Sequence, residues 1–380
     1  MIELKNISKT YPGEKTPAVD NLSLKVEKGE ICVLVGPSGC GKTTTLKMIN
    51  RLIEPSSGKI FINGKDAIKQ NPNELRQDIG YVIQDIGLFP HMTVAENIAT
   101  VPKLKDWEQS KIDQRVDELL NLIGLDPENT KDNYPAQLSG GQKQRIGVAR
   151  AMAVDPPIML MDEPFAAVDP ITRTQLQNEF LSLQKKIQKT ICFVTHDIDE
   201  AIKMGDKIAI LNQGKLVQYD TPENILFNPK NEFVEDFVGP DRSLKVLNLL
   251  KVNEIMKENI PTATTDSSAE EVLEKINVSR QSYILIIDKE EKLVGYVNKE
   301  RIKNNNKDKN WKDNIKFSQV ISSDASLIDA LTRLIQNNQS ILPVTSDENN
   351  LIGIVRLEDI QDRIADSYQA EAELEEPEVV

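Results

Sequence analysis

Histidine is nearly missing from this 380-residue chain, which has two, and cysteine is scarce at three. Cys32, Cys40 and Cys192 are odd in number and far apart, which excludes a disulfide framework and reads as reduced thiols. No apolar run approaches the ~18–20 residues that cross a bilayer. The start, Met1-Ile2-Glu3-Leu4-Lys5, has neither a basic stretch nor an apolar one behind it, so no secretory signal is expected. The chain is therefore expected in the cytosol, with any membrane role exercised through partners. Basic charge is short as well: 46 Lys and Arg against 59 Asp and Glu leave −13. Nucleic-acid binding rests on Lys and Arg neutralising phosphates, so no nucleic-acid partner is expected. Glycine and proline, at 18 and 19, show no excess that would indicate a fibrous or low-complexity architecture.

What is present suits two or three domains with packed cores. The acidity is uneven: residues 1–240 carry a net −5 and residues 241–380 a net −8. Gly239-Pro240 interrupts regular structure and marks a boundary. Before it, the short apolar runs Ile31–Val35, Ile158–Met161 and Thr190–Val194 read as buried parallel strands between helical stretches, so residues 1–240 read as an α/β domain. After it, an offset of 58 aligns Asp266 with Asp324, Leu273 with Leu331, Ser282 with Ser340, Gly295 with Gly353 and Ile302 with Ile360, without a gap. The second half is thus a duplicated α+β unit, residues 252–310 and 311–367, each copy reading helix, strand, turn, strand, helix. Between the copies, the Lys/Asn-rich stretch Lys303–Lys316 reads as a solvated connector, and residues 368–380 as an acidic, disordered tail.

Gly36-Pro37-Ser38-Gly39-Cys40-Gly41-Lys42-Thr43 fits the pattern G-x-x-x-x-G-K-[ST], and it follows a strand and precedes the helical stretch from Thr44. Glycines let backbone N–H groups wrap phosphate oxygens, and the helix N-terminus adds partial positive charge. Lys42 is placed to reach β- and γ-phosphates and the Thr43 hydroxyl to ligate Mg²⁺. Asp162 and Glu163 end the strand Ile158–Met161; the first suits a Mg²⁺ shell and the second, one residue on, suits polarising a water. Leu138-Ser139-Gly140-Gly141-Gln142 opens a second helix with a hydroxyl and two small residues, a second phosphate-capable site. One chain has no obvious use for two such sites; a head-to-tail dimer does.

With that element the chain resembles the nucleotide-binding subunits of ABC transporters. The LSGGQ signature stands unaltered, and the order Tyr11, P-loop, Gln84, signature, Asp162-Glu163, His196 is the family's order. The resemblance implies a P-loop ATPase domain acting as a head-to-tail dimer on ATP and Mg²⁺. It implies that Tyr11 stacks on adenine and that the P-loop with Thr44 holds the phosphates. Gln84 would sense Mg²⁺ or the attacking water. Ser139, Gly140, Gly141 and Gln142 would contact the ATP of the partner, and Asp169, in Ala166-Ala167-Val168-Asp169, would bridge the dimer. Glu163 would be the base, and His196 would contact the γ-phosphate. His91, in the loop after Gln84, would face a membrane partner. The duplicated half resembles a tandem CBS (Bateman-type) module, a combination typical of ATPase subunits of bacterial importers for quaternary-amine osmoprotectants (glycine betaine, carnitine, choline). That implies permease subunits, a substrate-binding protein or domain, and a place at the cytoplasmic face of the membrane. Uptake of another small solute, such as a polyamine or amino acid, stays open, as does a non-transport ATPase.

For the CBS pair, the family pattern of a hydroxyl residue and an Asp after the Gly-bearing strand is broken. Arg356 stands for the hydroxyl while Asp359 is kept, and the first copy has Asn298 and Arg301. Ordinary AMP or ATP binding is not expected, and three readings stand: a dimerisation module, a cyclic di-AMP receptor, and an ionic-strength sensor. In the second, Arg356 would pair with phosphate and Tyr283, Ile354 or Val355 would flank a base. In the third, contacts of Lys303, Lys307, Lys309, Lys312 and Lys316 with an acidic partner would weaken with salt, the Debye length being ~8 Å at 0.15 M.

Overall fold

The computed structural model describes all residues except 85–86, 167, 259, 280–282, 304–310, 318 and 373–380. Its contacts divide the chain into two units, Met1–Gly239 and Pro240–Val380.

Among its described residues the first unit has ten strands: β1 (Ile2–Lys9), β2 (Val19–Val26), β3 (Ile31–Val35), β4 (Ser57–Ile62), β5 (Lys65–Asp66), β6 (Ile79–Val82), β7 (Ile158–Asp162), β8 (Thr190–Val194), β9 (Lys207–Asn212) and β10 (Lys215–Asp220). β2, β1, β4 and β5 form an antiparallel sheet in that order. Its strands alternate; in β2, Val19, Leu22, Leu24 and Val26 are buried, and Asn21, Ser23 and Lys25 are not. The other sheet has the order β10-β9-β3-β8-β7-β6 and is parallel from β9 to β6. Every residue of β3, β7 and β8 is buried, as the unbroken apolar runs require. The apolar faces of the two sheets share one core, which includes Ile2, Leu22, Leu34, Leu46, Ile60, Leu160 and Val194.

Chain order and sheet order differ, and this decides where the chemistry lies. Strands β3, β8, β7 and β6 are consecutive in the sheet, and the residues that follow their C-terminal ends are the P-loop, His196, Glu163 and Gln84. Open α/β sheets bind ligands at that edge.

In the second unit the element spacing repeats. β11 (Thr262–Thr264), the helix Ala269–Ser279, β12 (Tyr283–Ile287) and β13 (Leu293–Asn298) form the first copy. β14 (Ile321–Ser322), the helix Leu327–Gln336, β15 (Ile341–Thr345) and β16 (Leu351–Arg356) form the second. Each copy has a three-stranded sheet whose short leading strand pairs parallel with the next, a strand the sequence reading lacked. The copies touch through Leu293 N–H donating to the Asn349 carbonyl and Leu351 N–H to that of Glu291, both 3.2 Å.

The connector is not simply solvated. Trp311 belongs to the core of the first copy, its indole Nε1 donating to the Ser267 carbonyl at 3.1 Å, and Lys316 and Tyr296 exchange backbone hydrogen bonds. An apolar ring in the stretch outweighed the lysines around it. Lys307 and Lys309 lie outside the described residues. The last helix, Leu357–Ala372, runs into the stretch read as a tail, whose remainder, 373–380, is likewise outside them.

Candidate active site

The P-loop turns from β3 into the helix Lys42–Ile49 on glycines with positive φ. Gly41, at φ 99°, caps the helix, and a Cβ there would lie 2.4 Å from the Ala18 carbonyl oxygen. Lys42 is buried, and its ammonium donates to the carbonyls of Gly36 at 2.7 Å and Pro37 at 2.9 Å. The loop thus holds its lysine in place with its own backbone. Cys40, inside the loop, is buried, and burial pushes its thiol pKa up, away from the reactive thiolate.

Thr43 donates its hydroxyl to Asp162 Oδ1 at 2.9 Å, joining the helix start to the end of β7. Asp162 is buried, and burial raises its pKa; the Thr43 hydrogen bond opposes this and the neighbouring charge of Glu163 adds to it. A hydroxyl and a carboxylate, both hard oxygen donors, side by side at a phosphate loop fit Mg²⁺, which takes one or two protein oxygens and completes its shell with phosphate and water.

Glu163 sits at φ 45°, and its N–H donates to the Val194 carbonyl at 2.9 Å, fixing it against β8. Its Oε2 accepts from Gln84 Nε2 at 3.0 Å and lies 3.2 Å from His196 Nδ1. Two residues from two other loops therefore converge on one Glu163 carboxylate oxygen. Glu163 is largely covered, with 18% side-chain exposure, whereas His196 stands out at 59%, available to a ligand. Tyr11 is joined to the group through Thr44, hydroxyl to hydroxyl at 3.4 Å, with the Lys9 ammonium 5.5 Å from its ring centre.

The remaining predicted residues stand apart from this cluster. Ser139 caps the helix Gly140–Ala151 in a reciprocal box with Gln142, the Oγ accepting at 3.2 Å and the Gln142 Oε1 at 2.9 Å. Ser139 and Gly140 are exposed, and the Ser139 carbonyl accepts from Lys143 N–H at 3.0 Å. Asp169, also exposed, caps the helix Pro170–Ile187 by accepting from Thr172 N–H, which holds its carboxyl pKa down. His91 is exposed beside Phe89.

Sequence reading missed a buried layer beneath His196. Thr195 and Glu200 are 2% and 7% exposed, and the Glu200 carboxylate accepts from Gln177 Nε2 at 2.9 Å; burial raises its pKa, and the Thr195 hydroxyl and Gln177 oppose this. A carboxylate on the buried side of a helix four residues past the lone His was the available signal.

In the second unit the predicted regulatory residues are not gathered. Ile354 and Val355 are buried in their sheet. Arg356 is claimed by acids, a bidentate pair with Asp359 at 2.9 Å for each bond and a contact with Glu358. Asp359 also takes Lys257 at 2.7 Å. Burial would raise the Asp359 pKa, but Arg356 and Lys257 hold it below its ordinary value. Tyr283 lines a different feature, a cavity of about 200 Å³ with Tyr296, Asn298, Asn338, Gln339 and Ser340. The Tyr283 hydroxyl and Gln339 Oε1 are buried there without partners, and burial pushes the Tyr283 pKa up to about 12.

No described helix is long and apolar enough to cross a membrane. The ABC transporter family matches residues 19–166 and the CBS domain family residues 252–305 and 316–366. The chain is 47% identical to the choline transport ATP-binding protein OpuBA of Bacillus subtilis, over 98% of each chain. It is 45% identical to the osmoprotectant import ATP-binding protein OsmV of Salmonella typhimurium, over 96% of each. Among solved structures it resembles the dimeric, post-hydrolysis ATP-binding cassette MJ0796 bound to ADP and Pi, at 34% identity and TM-score 0.53, over 58% of this chain and 99% of that one. The chain belongs to the ATP-binding subunits of ABC transporters, built as one ATPase cassette followed by a pair of CBS domains.

Proposed function

We propose that this ABC ATPase drives import of a quaternary-amine osmoprotectant through membrane permease subunits, fed by a substrate-binding protein or domain. It would work at the cytoplasmic face of the membrane. The observation that carries the reading is the likeness, over nearly the whole chain, to transport ATP-binding proteins named for choline and osmoprotectants.

The geometry supports the chemistry. Lys42, the Gly36–Gly41 backbone and Thr44 hold the phosphates, Tyr11 takes the adenine, and Thr43, Asp162 and Gln84 hold Mg²⁺. When bound, Mg²⁺ offsets charge on the β- and γ-phosphate oxygens. Glu163, steadied by Gln84 and His196, receives the proton of the attacking water, and His196 positions the γ-phosphate. Ser139–Gln142, of which Ser139 and Gly140 are exposed, complete the site of a second copy, with Asp169 at the seam; the dimeric cassette it resembles supports this.

Reconstitution with the permease tests the reading. ATP-dependent uptake of choline, glycine betaine or carnitine is expected; uptake confined to a polyamine or amino acid would replace the substrate class. Failure of the protein to co-purify with integral membrane subunits would replace transport altogether.

The CBS pair supports regulation by cyclic di-AMP through its cavity with two unpaired polar atoms. At about 200 Å³ it is smaller than the ~300–1,000 Å³ of ordinary ligand pockets, so it takes part of a ligand and a second copy supplies the rest. Calorimetric titration of the whole protein, with AMP as control, should give saturable binding that Tyr283→Ala abolishes. Absence of binding would leave dimerisation or salt sensing.

A further inference from the structure

The layer under His196 does more than fill space. Glu200 lies on the short helix Ile198–Met204, and Arg173 and Gln177 lie one turn apart on the helix Pro170–Ile187. The Glu200 carboxylate accepts from Gln177 Nε2 at 2.9 Å and shares a small cavity with Thr195, the residue immediately before His196, whose hydroxyl helps to hold the Glu200 pKa down against burial. Gln177 is itself oriented by Lys203, whose ammonium donates to the amide oxygen at 3.0 Å. Thr195 is pinned from two more sides: its N–H donates to the Leu34 carbonyl at 3.1 Å, and its Oγ1 accepts from Asp197 N–H at 3.1 Å. Arg173 donates from Nη2 to the Val168 carbonyl at 3.0 Å, and Val168 immediately precedes Asp169. Its positive charge is among the influences that lower the Glu200 pKa against burial. Arg173 and Glu200 line one small cavity with Glu163, Thr195 and His196. That cavity is about 10 Å³, room for one water at most, so nothing larger enters and the layer acts through the groups it holds.

We propose that Glu200 and Arg173 are positioning residues that couple the two loops of the ATP site: Glu200 sets His196 through Thr195, and Arg173 sets Asp169 through the Val168 carbonyl. A movement of the loop that faces the second copy is thereby transmitted to the residue that positions the γ-phosphate, across one buried layer of side chains. The inference rests on the ATP-site roles given to His196 and Asp169 above. Its energetic basis is the cost of a buried carboxylate: Glu200 must keep its donors, so Thr195 is not free to drift.

The test is a double-mutant cycle in ATP hydrolysis by the full-length protein. Glu200→Gln keeps the shape and weakens the grip on Thr195; Thr195→Val removes the hydroxyl. Each should lower kcat about tenfold or more while leaving KM for ATP within about twofold, because a shift of ~1 Å in a positioned group costs up to ~100-fold in rate. The double variant should be no slower than the slower single. Arg173→Ala should give the same split between kcat and KM, with Arg173→Lys restoring part of the rate. Parental kcat in Glu200→Gln, or multiplied losses in the double variant, would overturn the coupling through Thr195. Unfolding temperatures measured alongside identify a variant that merely misfolds, and Glu200→Asp, which keeps the charge, then decides: recovery of kcat supports positioning and no recovery refutes it. His196→Ala run in parallel separates the two levels. If it hydrolyses ATP like the parent, the reading of the ATP site fails; if it is slow while Glu200→Gln is not, only the positioning proposal fails.

Discussion

Gly41→Ala should destabilise the ATPase unit far more than the same change two residues earlier. At Gly41 the backbone is left-handed, φ 99°, and the new methyl would sit 2.4 Å from the Ala18 carbonyl oxygen and 3.0 Å from Val19 Cγ2. Neither neighbour is the loose end of a long side chain, so backbone must move. Left-handed strain costs ~1–2 kcal/mol, and forced overpacking typically adds ~1–3 kcal/mol. The less flexible unfolded chain returns ~0.4–1 kcal/mol. The balance is a loss of ~2–4 kcal/mol, which in a unit of this size lowers Tm by ~5–15 °C. Gly39 also has positive φ, 79°, but a methyl there meets nothing within 4 Å. It carries only the strain, so Gly39→Ala should lose ~0.5–1 kcal/mol and ~1–4 °C. Scanning calorimetry of the nucleotide-free proteins measures both. Equal losses in the two variants, or a Gly41→Ala protein as stable as the parent, would refute the argument from contact and leave dihedral strain as the only term.

Three further outcomes follow from the site. Glu163→Gln keeps the Gln84 contact but removes the proton acceptor, and should cut ATP turnover by ~10²–10⁴ while the protein accumulates as an ATP-bound dimer on size exclusion. Asp162→Asn should stabilise the nucleotide-free protein: burial raises the carboxyl pKa, so the folded state loses stability as pH rises through that value and carries the cost at neutral pH. The same variant should lose the rise in Tm that ATP gives with Mg²⁺ but not with EDTA; a Tm below the parent's without nucleotide would contradict this. Lys42→Ala and Ser139→Arg should each be inactive alone, and mixing them should restore hydrolysis, because one mixed site then has both halves intact. No recovery in demonstrated mixed dimers would count against sites shared between copies.

Much of the ATP site could be read from the chain because its parts are local. A P-loop is contiguous, and Asp162-Glu163 end a run whose apolar residues leave no choice but burial. The signature helix starts at Gly140, because the Ser139 cap admits two glycines to the first turn. What could not be read is what depends on distant partners. The antiparallel sheet of β1, β2, β4 and β5 has short alternating strands that match no single run, and the order β3-β8-β7-β6 is set by packing alone. Arg356 looked available to phosphate; Asp359, one helical turn on, takes its guanidinium because the helix Leu357–Ala372 begins right behind it. Glu200 was passed over because Gln177, which closes over its carboxylate, lies 23 residues away in the chain.

The interleaved strand order also governs how the protein is made. β3 emerges early in synthesis, but its flanking neighbours in the sheet, β8 and β9, lie more than 150 residues downstream. A nascent chain halted after the signature helix would own a P-loop and no β7, β8 or β9 against which to set it. Nucleotide can therefore be captured only once residues beyond β9 have left the ribosome. From then on, each ATP bound ties together the ends of four neighbouring strands, β3, β8, β7 and β6.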